Sequence, residues 1–411
     1  MNIASVFTKS SGSAGETYLA SLYYGKGGEA LFLIYMHLLT KDDHYLVNAT
    51  KTLNAIIKDL ESKPYPLGLA YGASGVAWLL QHIINLGYYK DENLDYLNTV
   101  DIIIEKSLEN DVHNKNYDLF HGLIGKGMYF LESYERTPDV AHRALSEIVK
   151  SLDKLKSTGG NIGITWKDFD TDDEGEIIDY SFNLGIPHGI PGIILFLTEV
   201  YEKNILKSSV ESLLRESCAW VLDTKVENST SQFPPALDDK HEPIEPGSRL
   251  AWCYGDIGIS LALLKSAITL KDPLLKKKAI DIALHSTNRK LGDSDVFLKD
   301  DRYPDCGFCH GLCGIALLYN SMYYITRMRE FEQAQNYWLN LLYESIDHNE
   351  LIFHDYNATT KKVTWPHNKH DLLEGMSGVG LTLLTVSNTF KNDFYWRNAF
   401  FITGLHENRS I

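Results

Sequence analysis

The chain has 411 residues, 44% hydrophobic and 23% charged, the composition of a globular protein with enough apolar material for a large core. Its formal charge of −15 argues against general affinity for nucleic acid or anionic membranes. No stretch approaches the roughly eighteen uninterrupted apolar residues of a membrane span, and Met1–Val6 lacks the basic and apolar regions of a signal peptide, so a cytoplasmic protein is expected.

From the N-terminus onward, one step recurs: two glycines three apart, followed by an apolar run of helical length. The copies begin at Gly25, before EALFLIYMHLL, at Gly72, before VAWLLQHII, and at Gly122, before KGMYFLESY. They continue at Gly189, before IILFLTEVY, at Gly255, before ISLALLKSA, at Gly311, before IALLYNSMY, and at Gly375, before VGLTLLTVS. One such step is a common chance match. Seven in register, each opening an apolar helix, form a repeat.

Second segments lie between the copies, at 47–60, 141–155, 210–222, 274–285 and 331–346. Their apolar residues recur every three or four positions with charges between, the pattern of a helix with one buried face. One apolar and one amphipathic helix per repeat predicts two concentric rings, an all-α α/α toroid of about fourteen helices forming a single domain over 1–411. An open solenoid is the alternative. In the toroid the glycine turns gather at one end of the inner ring, with their flanking side chains around a common centre. The longer repeats hold 157–187, with the acidic run Asp168 to Glu176, and 225–249, with Pro234, Pro235, Pro243 and Pro246; both read as loops or short strands.

The five cysteines are Cys218, Cys253, Cys306, Cys309 and Cys313. An odd number, three of them crowded together in a chain without an export signal, suggests metal or reactive thiols rather than disulfides. Aligning the repeats places Cys253 and Cys309 two positions before their first glycines and His310 one before. If neighbouring repeats are adjacent, two thiolates and an imidazole converge. Three such protein ligands leave the fourth tetrahedral position of a Zn2+ ion open, the catalytic rather than the structural arrangement. Cys306-Gly307-Phe308-Cys309-His310 also matches the pattern of covalent haem attachment, which normally needs export, and an iron–sulfur cluster lacks a nearby fourth ligand. Cys218, Cys306 and Cys313 read as packing residues.

The same alignment puts His188 and His121 one position before their glycines and Asp118 four before. A histidine oriented by a carboxylate is a proton-transfer pair. Arg249 and Tyr254, flanking Cys253, are placed to bind or polarise a carbonyl. Glu374, Tyr24 and Tyr71 hold the same ring position as His188 and read as structural.

These residues resemble the lanthionine synthetase C-like family, the LanC-type lantibiotic cyclases, over nearly the whole chain. The specific parts are Ser181 through Gly189 (SFNLGIPHG), Arg249 through Gly255 (RLAWCYG), Cys309-His310-Gly311 and Leu373-Glu374-Gly375. The resemblance implies an α/α toroid with one zinc held by Cys253, Cys309 and His310, and an active site lined by His188, Asp118, Arg249 and Tyr254. It implies Michael-type addition of peptide cysteine thiols to dehydroalanine or dehydrobutyrine in a dehydrated precursor peptide, giving thioether rings. The implied partners are that peptide, a separate dehydratase and an export transporter. A relative adding glutathione to dehydrated proteins would use the same site. A zinc-containing peptide-binding scaffold without turnover would share the fold. Prenyltransferases and toroidal glycosidases share the double ring but need carboxylate zinc ligands or paired catalytic carboxylates, and neither pattern is present.

Overall fold

The computed structural model describes residues 19–89, 94–158, 162–171, 177–296, 304–347, 355–357, 362–364, 370–387 and 395–402; Met1–Val6 and residues 172–176 of the acidic run lie outside them. The described residues form thirteen α-helices: α1 (Lys26–Thr40), α2 (Asp43–Ser62), α3 (Ala73–Asn85), α4 (Leu94–His113), α5 (Leu123–Glu132), α6 (Pro138–Leu155), α7 (Ile190–Glu202), α8 (Lys207–Asp223), α9 (Asp256–Thr269), α10 (Pro273–Ser286), α11 (Leu312–Thr326), α12 (Arg329–Asp347) and α13 (Met376–Val386). None is long and apolar enough to cross a membrane.

Every odd-numbered helix opens at a repeat. Gly25, Gly72, Gly122, Gly189, Gly255, Gly311 and Gly375 are the N-caps of α1, α3, α5, α7, α9, α11 and α13. Two glycines explain why the step tolerates no side chain. Gly255 has φ +108°, a conformation L residues rarely adopt, and a Cβ there would lie 2.0 Å from the Arg249 carbonyl oxygen. A Cβ on Gly314 would lie 1.9 Å from the Phe308 carbonyl oxygen. Burial follows the expected division: Ile257 through Ala267 of α9 are buried on all sides, whereas α2 buries only Ala49, Thr52, Leu53, Ile56 and Leu60.

Where the odd helices open with bare glycine, two of the even ones carry side-chain caps. The Asp42 carboxylate accepts the His44 N–H at α2, and Asp272 accepts those of Leu274 and Leu275 at α10. The structure adds α4, an outer helix the periodicity had not marked. After α13 the next described element is the 3-10 turn Tyr395–Phe400. Trp396, Ala399 and Phe400 are fully buried there and Arg397 nearly so.

Both long loops contain short strands: β1 (Ser157–Thr158), β2 (Ile164–Thr165), β3 (Asp168–Thr171), β4 (Ile177–Asn183) and β5 (Ala236–Leu237). β4 is the centre of an antiparallel ribbon, pairing Asp168 with Ser181 and Phe182 with Leu237.

Contacts divide the chain into two compact units, residues 1–145 with 353–389 and residues 146–352 with 390–411. In the first, α1 packs on α2, α3 and α13, and α5 on α3 and α4. In the second, α9 packs on α7, α10 and α11, and α11 on α12. The turns are tied to one another by main chain near the residue two positions before the glycine. In the first unit Leu373 N–H donates to Tyr23, Tyr23 to Ala70 and Ala70 to Phe120. In the second, Ile186 N–H donates to the Cys253 carbonyl and Cys253 N–H to that of Cys309.

Candidate metal centre

That last hydrogen bond, 3.1 Å long, brings the two cysteines of the repeat alignment side by side. The Cys253 and Cys309 sulfurs and a His310 ring nitrogen lie within 4.8 Å of one another. Zinc bonds of about 2.0–2.3 Å in a tetrahedron need ligand separations of roughly 3.4–3.8 Å, so small side-chain adjustments close the set. Soft thiolates with imidazole suit zinc by donor chemistry as well. The residues fit the ion.

Each ligand is backed. Cys253 is 7% exposed, and His310 is 18% exposed. Hydrogen bonding from Cys309 pulls the Cys253 thiol well below the usual range against the effect of burial, helped by His310 and the Arg249 cation. Burial opposes the charge on Arg249, but Cys253, Cys309, Asp295 and Asp305 outweigh it and raise its pKa further. Asp305, 1% exposed, places Oδ2 3.2 Å from His310 Nε2 while Oδ1 accepts the Gly307 N–H at 2.5 Å. With Nε2–H given to a carboxylate, the ring's lone pair sits on Nδ1, the arrangement that orients metal-binding histidines.

Asp305 was not among the residues singled out from the sequence, although a signal exists. It stands six before Gly311, as Asn183 stands six before Gly189 and Arg249 six before Gly255. Asn183 Oδ1 accepts the Gly185 N–H as Asp305 accepts that of Gly307.

Tyr254 is the second residue with an organised setting. Its hydroxyl receives the Asn183 Nδ2–H at 3.2 Å, and the same amide donates to Asp168 Oδ2 at 2.9 Å. Burial pushes the phenol up to about 12, so it stays protonated at neutral pH. His188 is half-buried at the end of the neighbouring turn, which the Ile186–Cys253 bond ties to this one. A Cβ on Gly185 would lie 2.7 Å from both the Cys253 carbonyl oxygen and the Tyr254 ring, so the two turns are packed closely.

The second unit therefore gathers Cys253, Cys309, His310, Arg249, Tyr254 and His188 on three consecutive turns. Asp118 belongs to the first unit. Its Oδ1 accepts the N–H groups of His121 at 2.6 Å and Gly122 at 2.9 Å, so this oxygen caps its own turn. His121 is exposed and stacks on Tyr71, which stacks on Tyr24, with interplanar angles of 2° and 3°.

Comparison with known proteins bears on the family and the fold. The sequence model of the family described as lanthionine synthetase C-like protein matches residues 17–401. The nisin biosynthesis protein NisC of Lactococcus lactis subsp. lactis is 23% identical over 393 residues, covering 91% of this chain and 87% of NisC. The solved structure of nisin cyclase superimposes with a TM-score of 0.67 at 20% identity, covering 94% of this chain and 93% of that one. The likeness assigns the fold class, the all-α toroid expected from the repeats.

Proposed function

This chain belongs to the lanthionine synthetase C-like family, and from that premise we propose that it is a zinc-dependent cyclase forming thioether rings in a dehydrated precursor peptide. The observation that carries the reading is the convergence of Cys253, Cys309 and His310 within 4.8 Å. Zinc held by these three residues would supply a Lewis acid with one open position, keeping a substrate thiol ionised near neutral pH.

The chain's own residues do the rest. Asp305 fixes the His310 ring, and Arg249 places a permanent positive charge beside the thiolates. Tyr254, protonated, donates to the carbonyl oxygen of the dehydro residue as negative charge develops there. The attacking sulfur forms one bond to the β-carbon, and the resulting enolate takes a proton at the α-carbon from His188. Asp118 is the candidate to orient that histidine or to take the thiol proton. One proton leaves the thiol and one returns to carbon, so no other reactant is consumed.

A dehydrated peptide as substrate implies a separate dehydratase acting before this step, and an export transporter after it, in a cytoplasmic setting. The experiment incubates the zinc-loaded protein with a dehydrated, cysteine-containing peptide and counts thiols open to alkylation by mass spectrometry. Ring formation leaves the peptide mass unchanged and removes one alkylatable thiol per ring. Unchanged thiol counts, with peptide binding intact, would identify a scaffold instead. Glutathione adducts on the peptide, formed only with the enzyme, would assign the intermolecular reaction.

A further inference from the structure

The residue three positions before each first glycine is buried. It is Leu22, Leu69, Leu119, Ile186 and Leu372 in five repeats. Only the two turns that carry cysteines depart from this, with Trp252 before Cys253 and Phe308 before Cys309. Both aromatic residues meet the same partner. The Phe400 ring lies 4.1 Å from that of Phe308 and 5.1 Å from that of Trp252, and Trp396 lies 6.0 Å from both Phe308 and Phe400.

The contact is polar as well as apolar. Trp252 Nε1–H donates to the Phe400 carbonyl at 3.2 Å. Lys265 of α9, fully buried and paired with Glu199 at 2.7 Å, reaches the Phe401 carbonyl at 3.5 Å. The Ser321 hydroxyl of α11 donates to the Ile402 carbonyl at 2.9 Å. The terminal segment is thus fastened to α9 and α11, the two helices that begin at the cysteine turns.

We propose that residues 396–402 are a positioning element of the metal site: Trp396 and Phe400 clamp Trp252 and Phe308, and through them hold the Cys253 and Cys309 sulfurs at ligand spacing. This inference rests on the zinc reading. A cysteine's sulfur is two bonds from its backbone, so the backbone of each turn fixes how far its thiolate can move. Five aliphatic residues suffice where no ligand must be held. The two ligand-bearing turns instead share one rigid aromatic cluster, whose rings cannot be shifted singly in a close-packed interior.

The test uses the full chain stripped of metal and titrated with zinc against a chromogenic chelator. The variants are Phe400→Ala and the milder Phe400→Leu, with Phe400→Tyr as the conservative variant. Leu69→Ala serves as control, removing comparable core from a turn without a ligand. Co2+ absorption reads the thiolate coordination directly, and thermal unfolding of the metal-free proteins reads stability.

The expected result is zinc affinity reduced about tenfold or more in Phe400→Leu, the range seen when residues behind metal ligands are lost. Its thiolate–cobalt bands should weaken, with recovery in Phe400→Tyr. Leu69→Ala should lose stability and keep its affinity. Phe400 variants that unfold earlier yet bind zinc and cobalt as the parent does would overturn the clamp alone. A parent protein that binds no zinc would overturn the metal reading beneath it, and the clamp with it.

Discussion

Replacing Asp305 with asparagine tests the metal centre at its most buried support. The substitution keeps Oδ1 as acceptor for the Gly307 N–H, so the turn survives. At the other position it puts an amide N–H2 where a carboxylate oxygen stood, 3.2 Å from His310 Nε2. The ring must then accept at Nε2, which moves its proton to Nδ1 and removes the lone pair the metal needs, or it must rotate. Loss of such an outer carboxylate typically costs 10–100-fold in metal affinity, equal to about 1.4–2.8 kcal/mol at 1.4 kcal/mol per decade.

Asp305→Ala should lose the same affinity and, in addition, about 1 kcal/mol of stability in the metal-free protein, because the Gly307 N–H is left without its partner. Competitive zinc titration of both variants, alongside unfolding of the metal-free forms, separates the two effects. If Asp305→Asn binds zinc as tightly as the parent, Asp305 does not orient a ligand and the assignment of His310 through Nδ1 is wrong.

Three further outcomes follow from the geometry. His188→Asn should lower ring formation by about 10²–10⁴ without weakening zinc binding, the range for a lost general acid; single-turnover kinetics at constant zinc content would check this. Asp111 is buried against Lys126, and burial pushes its carboxyl up to about 6. A folded pKa above the unfolded value of about 3.9 means its contribution to stability is present below pH 4 and lost as pH rises through 6, about 2–3 kcal/mol in all. Denaturant unfolding of Asp111→Asn from pH 4 to 7 should lack that decline. Gly314→Ala should cost about 1–3 kcal/mol and weaken zinc binding too, since its Cβ displaces the Phe308 carbonyl on the turn bearing Cys309; calorimetry and zinc titration of one sample would show both.

The repeat was legible because it is a local pattern. Glycines three apart and the apolar run after them mark the seven inner helix starts, and the structure places an N-cap at each first glycine. The register also brought the three candidate ligands together, since residues at equal offsets in adjacent repeats become neighbours once the turns are bonded main chain to main chain. Asp305 escaped because its offset, six before Gly311, marks a polar residue near the turn but not that its carboxylate reaches a ring nitrogen. Asp118 shows the same limit. Its position suggested a partner for a histidine side chain, and the structure adds a bond the sequence did not announce, from the main-chain N–H of His121 and Gly122 to its Oδ1.

Periodicity and offset thus determined by themselves the class of fold, the starts of the inner helices and the three candidate metal ligands, because all three depend on spacing along the chain. Only the tertiary structure decided which groups support those ligands. Asp305 at His310, Asn183 and Asp168 at Tyr254, and the residues 396–402 against Trp252 and Phe308 are joined across as many as 148 positions of sequence. Such contacts are set by how buried surfaces pack in three dimensions, and a packing partner leaves no period in the sequence to read.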